Sequence, residues 1–167
     1  RRGSAAVLAG SAMLGVLLLA ISQAGTMLDG QVLRWSIAWF PALGLAFKLR
    51  LDALAWLFVL LISGIGALVV VYAHYYLGKD EDTPRFYAGL LAFAAAMLGV
   101  VTAGNLLLLV VFWEFTSLTS FLLISFWSDK PEARAGARMA LTVTAGGGLA
   151  LLAGVLLIGQ VVGSLDL

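Results

Sequence analysis

The sequence predicts an all-α membrane protein, a polytopic bundle of five transmembrane helices with a short β-hairpin loop as one reading of residues 31–51. Three observations predict it. Hydrophobic residues make up 62% of the chain and charged residues 11%, against about 25% charged in a soluble domain. Apolar stretches recur that approach or exceed the roughly 20 residues a helix needs to cross hydrocarbon. Lysine and arginine gather in the intervals between those stretches, unevenly on the two sides.

The first stretch covers about 4–24. Its apolar run Ala5 to Ile21 resembles a signal peptide, but no small-x-small cleavage site leads into a soluble domain and further spans follow, so it is expected to be a membrane helix. The connector 25–52 holds QVLRWSIAWF, then Pro41-Ala42-Leu43-Gly44, then LAFKLRL. Two apolar-aromatic runs around a Pro/Gly turn fit a β-hairpin over 31–51, and Pro41 argues against a continuous helix. The other reading is an irregular amphipathic loop at the headgroups, anchored by Trp35, Trp39 and Phe40. The second stretch is 53–77, opened by Asp52 at the outer surface, where it can cap the helix or meet Arg50, with a role in ion entry as the other reading. The third and fourth, 86–103 and 105–127, are parted only by Ala103-Gly104-Asn105. One span over both would be roughly 63 Å long at 1.5 Å per residue, so a tight helical hairpin is expected at those turn formers, with Asn105 capping the next helix. The fifth stretch is 138–163.

The chain is expected to be a single membrane domain, 1–167, and a fragment or an incomplete chain, since it opens on Arg1-Arg2-Gly3 without a start methionine. Arg1, Arg2, Lys79, Arg85, Lys130, Arg134 and Arg138 fall on one side, seven in all; Arg34, Lys48 and Arg50 fall on the other. Seven against three places the amino terminus, the 78–85 loop and the 128–137 loop in the cytoplasm. The formal net charge of +1, without a basic cluster, gives no sign of nucleic acid. There is no cysteine and a single histidine, His74, so thiolate chemistry is excluded and no metal site is expected.

Within the fourth stretch, NLLLLVVFWEFTSLTSFLLISFW, Glu114 is the only charged residue. It lies near mid-membrane, where a charge costs roughly 2.5–3.5 kcal/mol on insertion scales. Such a carboxylate should face protein or internal water. Thr116, Ser117 and Ser120 follow within two turns, and their hydroxyls can bond the carboxyl or hold water. Two bland readings compete: Glu114 as a permanently protonated group bonded to a neighbouring helix, and the hydroxyls as small residues that let helices approach. The sharper reading is a carboxyl balanced between desolvation and a nearby cation, able to load and release a proton. His74, in VYAHYYL, is either a relay toward the cytoplasm or an interfacial residue beside Tyr72, Tyr75 and Tyr76. Gly146, Gly147 and Gly148 either pack tightly or form a hinge or water-lined break.

LRLDALAWLFVLLISGIGALVVVYAHYYL and RFYAGLLAFAAAMLGVVTAGNLLLLVVFWEFTSLTSFLLISFW resemble the antiporter-like membrane subunits, which include the large proton-pumping subunits of complex I and the A subunit of Mrp-type multisubunit Na+/H+ antiporters. TVTAGGGLAL has Ala145 and Gly148 where the complex I subunit tends to carry Arg and Asp, and this departure is more similar to the Mrp-type protein. The resemblance implies the second to sixth of about fourteen helices, the essential glutamate of the family at Glu114, and a partner lysine beyond Leu167. It implies a proton-translocating subunit of a monovalent cation (Na+)/H+ antiporter in a bacterial inner membrane, assembled with other membrane subunits, moving protons and a cation, with no cofactor and no enzymatic chemistry of its own. The alternatives are a redox-driven pump subunit of complex I or a membrane-bound hydrogenase, and a non-transporting scaffold for partner subunits.

Overall fold

The structure is a computed structural model that describes residues 2–40, 45–78 and 81–167. The expected turn Pro41–Gly44 lies outside the described residues, as do Arg1, Lys79 and the side chains of Trp39 and Phe40. Six helices and two strands are described: α1 (Arg2–Ser22), α2 (Ala24–Leu28), β1 (Leu33–Phe40), β2 (Leu45–Leu51), α3 (Ala53–Tyr76), α4 (Thr83–Thr102), α5 (Leu106–Ile124) and α6 (Pro131–Val162). All but α2 are long and apolar enough to cross a membrane.

Of the two readings of 25–52, the hairpin is the one observed. β1 and β2 pair antiparallel from Leu33 opposite Leu51 to Phe40 opposite Leu45, with an irregularity between Ala38 and Phe40. The apolar-aromatic composition of both runs suits a pleated surface.

Local chemistry sets the helix starts. Asp52 accepts from the Ala55 amide at 2.8 Å and pairs with Arg50 at 2.5 Å, so it both caps α3 and meets Arg50. Asp82 accepts from the Arg85 amide ahead of α4, and Asn105 from the Leu108 amide ahead of α5. These caps satisfy amides that the first turn leaves unpaired. α4 and α6 each place a proline in the first turn, where the missing N–H costs nothing. Both therefore begin earlier than the apolar stretches 86–103 and 138–163: hydropathy marks only what hydrocarbon covers, while the helix continues into polar surroundings. α6 has 32 residues, roughly 48 Å at 1.5 Å per residue.

α1 packs on α3, α3 on α4, α4 on α5 and α5 on α6, and α1 also meets α4. Trp56 Nε1 donates to the Ala20 carbonyl at 2.6 Å, tying α3 to the far end of α1. Toward the other end, Gly10 faces Val70. Tyr87 donates its hydroxyl to the Val70 carbonyl at 3.2 Å, within a cluster that joins Ala6, Ala9, Val70, Ala73, Leu77, Tyr87 and Leu90. Glycines set the approach of α4 to α5: a Cβ at Gly89 would meet Leu123 at 3.1 Å, and one at Gly99 would overlap the Phe112 ring. Small residues are the usual device for close helix contact in lipid.

Candidate functional site

The start of α5 is fixed from two sides. The Gly104 amide donates to the Lys48 carbonyl of β2 at 2.7 Å, and Asn105 Nδ2 donates to the Ala46 carbonyl at 3.1 Å. A Cβ on Gly104 would sit 2.9 Å from that Lys48 oxygen, so the turn takes glycine for reasons of space. With the first residue of α5 held, the helical period carries Glu114 to the middle of the helix and onto the side facing α6.

There Glu114 Oε1 is buried and has no hydrogen-bond partner among the described residues; the other buried unpaired side-chain atom is Arg50 Nε, at the hairpin. The carboxyl lies against Gly148 of α6. A Cβ built on Gly148 would stand 2.8 Å from the carboxyl carbon, overlap Oε1 and meet Trp113 Cδ1 at 3.4 Å. Gly148 is itself buried, whereas Glu114 as a whole is half-buried. The carboxyl oxygen is thus enclosed by protein at mid-helix.

The neighbouring hydroxyls do not bond it. Thr116 Oγ1 donates to the Trp113 carbonyl at 2.6 Å and Ser117 Oγ to the same oxygen at 3.3 Å. In a helix without water, the carbonyl three or four residues back is the nearest acceptor, and hydroxyl side chains turn to it. Ser117 is 4% exposed and Ser120 is half-buried. The pattern of small hydroxyl residues after Glu114 is as expected, but direct contact with the carboxyl is absent among the described residues.

His74 stands in the last turn of α3, with an exposed side chain. Its ring meets Tyr75 edge-on at 5.4 Å, and Tyr72 stacks on Tyr76 at 5.2 Å. It lies beside Tyr75 on a helix that packs on α1 and α4, whereas Glu114 lies where α5 meets α6. The glycine triplet does not break its helix: α6 runs unbroken through it. Gly146 and Gly147 have nothing within 4 Å of an added Cβ, so close packing is confined to Gly148. Sequence spacing gave no sign of which of the three faces α5.

The seam between α5 and α6 carries a cleft toward each end. One, of about 560 Å³, is lined by Lys48, Asn105, Gln160 and Asp166 among others. The other, of about 370 Å³, is lined by Phe121, Ser125, Arg134 and Arg138. Glu114 falls between them in sequence along α5.

Two family models match the chain: "NADH-Ubiquinone oxidoreductase (complex I), chain 5 N-terminus" over residues 39–87 and "NADH:quinone oxidoreductase/Mrp antiporter, TM" over 103–167. The chain is 50% identical over all its 167 residues to a probable K(+)/H(+) antiporter A/B subunit of Rhizobium meliloti (strain 1021), of which it covers 17%. It is 48% identical over 147 residues to the A1 subunit of a Na(+)/H(+) antiporter of Staphylococcus haemolyticus (strain JCSC1435), covering 88% of this chain and 18% of that protein. It thus spans less than a fifth of the length of these relatives. Among solved structures, the Mrp complex from Dietzia sp. DQ12-45-1b superposes with a TM-score of 0.77 at 32% identity, over 96% of this chain and 20% of that one. An archaeal membrane-bound sulfane sulfur reductase shares the fold, with a TM-score of 0.74 at 20% identity. Five apolar helices joined through one hairpin, matched end to end by relatives of this kind, make the chain a multi-pass membrane protein of the antiporter-like subunit family shared by Mrp antiporters and complex I.

Proposed function

We propose that the chain is part of the proton-handling half of a monovalent cation/proton antiporter, and that Glu114 is its proton carrier. The observation that carries this reading is the Glu114 carboxyl, half-way along a membrane helix, with an oxygen shut inside the α5–α6 seam and unpaired. An unpaired buried polar atom costs about 1–3 kcal/mol. Ionisable groups held at such depth mark ion or proton pathways. The clefts toward both ends of the same seam offer water an approach from each side. Ser117 and Ser120 line the stretch between Glu114 and the Arg134/Arg138 end; with Ser117 released from the Trp113 carbonyl, the two hydroxyls can hold a water chain. His74, near the end of α3, belongs at most to the outer reach of that route.

The relatives named above exchange potassium or sodium for protons, so the cation is taken as a monovalent alkali ion without a choice between the two. The setting is the bacterial cell membrane, with the amino terminus in the cytoplasm and other membrane subunits around the bundle. The test is antiport in inverted vesicles that hold the whole complex, with Na+ and K+ in turn. Glu114→Gln keeps shape and loses the titrating group; proton-coupled exchange should vanish while assembly is unchanged. Undiminished exchange would favour a scaffold instead, and exchange that appears only with an electron donor would favour a redox-driven pump.

A further inference from the structure

Of the three consecutive glycines on α6, only Gly148 meets anything. Gly146 and Gly147 face open space among the described residues, while a Cβ at 148 would occupy the place of Glu114 Oε1. Among the other close glycine contacts, Gly89 with Leu123, Gly99 with Phe112, Gly66 with Met13 and Gly159 with Leu165 accept apolar side chains, and Gly104 meets the Lys48 backbone at the turn. At Gly148 the incoming atom is the polar end of the one charged residue in α5. Glycine in a helix interior costs roughly 1 kcal/mol relative to alanine, so a position that requires it has a packing reason.

We infer that Gly148 is the positioning residue for Glu114: the missing side chain opens a slot in α6 that seats the carboxyl inside the α5–α6 seam and off the lipid-facing side. Its functional consequence rests on the reading of Glu114 as proton carrier; the contact itself does not. Alanine at 148 fills the slot, and the carboxyl must rotate out of the seam. Misplacing reacting groups by about 1 Å costs up to roughly a hundredfold in rate.

The slot also has a length. Aspartate at 114 withdraws the carboxyl by about one carbon–carbon bond, roughly 1.5 Å, which leaves room for a methyl on 148. The test therefore combines Gly148→Ala and Glu114→Asp, singly and together, in the intact complex, with Gly147→Ala as the control for stiffening the same helix. Two quantities are measured: proton-coupled exchange in vesicles and the melting temperature of the solubilised complex. Gly148→Ala should lower exchange roughly tenfold to a hundredfold and lower the melting temperature. Gly147→Ala should leave exchange unchanged and leave the melting temperature equal or higher. In the Glu114→Asp background, Gly148→Ala should cost far less on both measures, and the double variant should exchange faster than Gly148→Ala alone.

An equal melting cost of Gly148→Ala with and without Glu114→Asp would overturn the inference. So would a double variant that assembles no better than a poorly assembled Gly148→Ala. If the melting cycle shows the coupling while Glu114→Gln exchanges at the normal rate, the slot stands and the carrier reading falls.

Discussion

At the level of single residues, capping and seating follow the same rule: a polar atom is placed where the backbone leaves room for it. Asp52 illustrates the half-buried case. The amide of Ala55 holds its carboxyl below the ordinary carboxylate range, and the Arg50 guanidinium adds to this against the opposing effect of burial. A depressed folded-state value means that the stabilisation is complete above the unfolded pKa of about 3.9 and is lost as pH falls through the folded value. Melting of the complex should therefore be insensitive to this group from pH 7 down to about 5. Asp52→Ala should destabilise α3 by about 1 kcal/mol. Asp52→Asn keeps an oxygen acceptor and should cost less, since the Arg50 pair is partly exposed, with side chains 31% and 25% accessible, and such pairs contribute little. An equal loss for both substitutions would assign the stabilisation to the ion pair and not to the cap. Glu114 illustrates the buried case. Its residue type and its place half-way along an apolar helix were legible in the sequence, because a lone charge in an apolar run is a local signal. Its neighbour was not, because three adjacent glycines point around a helix at about 100° intervals and only the packing of α5 on α6 selects one.

At the level of elements, the five apolar helices and the tight turn at Ala103–Asn105 were legible from hydropathy, length and turn chemistry. The helix ends were not, since α4 and α6 extend through charged residues that hydropathy excludes. The hairpin was legible only as one of two readings: short apolar-aromatic runs suit a strand and an interfacial loop alike, and the pairing of β1 with β2 decides between them. The hydroxyls after Glu114 were read as able to bond the carboxyl or hold water, or as small residues for helix packing; Thr116, Ser117 and Thr119 donate to carbonyls of their own helix. Helix pairing depends on where a glycine meets a bulky residue. Gly99 is the tightest apolar case, its absent Cβ replaced by the Phe112 ring, which also stands edge-on to Phe47 of β2 at 6.0 Å. Gly99→Val should push α4 from α5 and cost about 1–3 kcal/mol by overpacking. Trimming the ring in the same chain, Gly99→Val with Phe112→Leu, should recover part of that. Melting of the solubilised complex measures both, and a double variant no more stable than Gly99→Val alone would place the conflict elsewhere.

For the whole molecule, the loops sort onto two ends. At one end, β2 meets the α4–α5 turn through Leu49 and Ala103, and Asn105 bridges to Asp166. Lys48 pairs with Asp166 at 2.5 Å, and Arg34 Nη1 donates to the Leu167 carbonyl at 3.0 Å. At the other, Glu81 accepts from Trp127 Nε1 at 2.7 Å and from the Gly78 amide at 2.8 Å, and Phe86 packs edge-on to Phe126 at 5.4 Å. The apolar surface between them is open, with Leu18, Leu68, Val143 and Leu149 each more than 60% accessible, as a bundle facing lipid or further membrane helices requires. The hairpin end holds three of the ten lysines and arginines, a distribution from which the positive-inside rule predicts that this end faces outward. The absence of cysteine makes this directly measurable. Ser36 on β1 and Ser128 in the α5–α6 connection are both exposed, so in a complex whose remaining cysteines are replaced Ser36→Cys and Ser128→Cys each introduce one thiol at opposite ends. A membrane-impermeant maleimide applied to intact cells should label the first and spare the second, and inverted vesicles should give the reverse. Labelling of Ser128→Cys from outside would turn the bundle over, putting the Arg134/Arg138 cleft on the outer face.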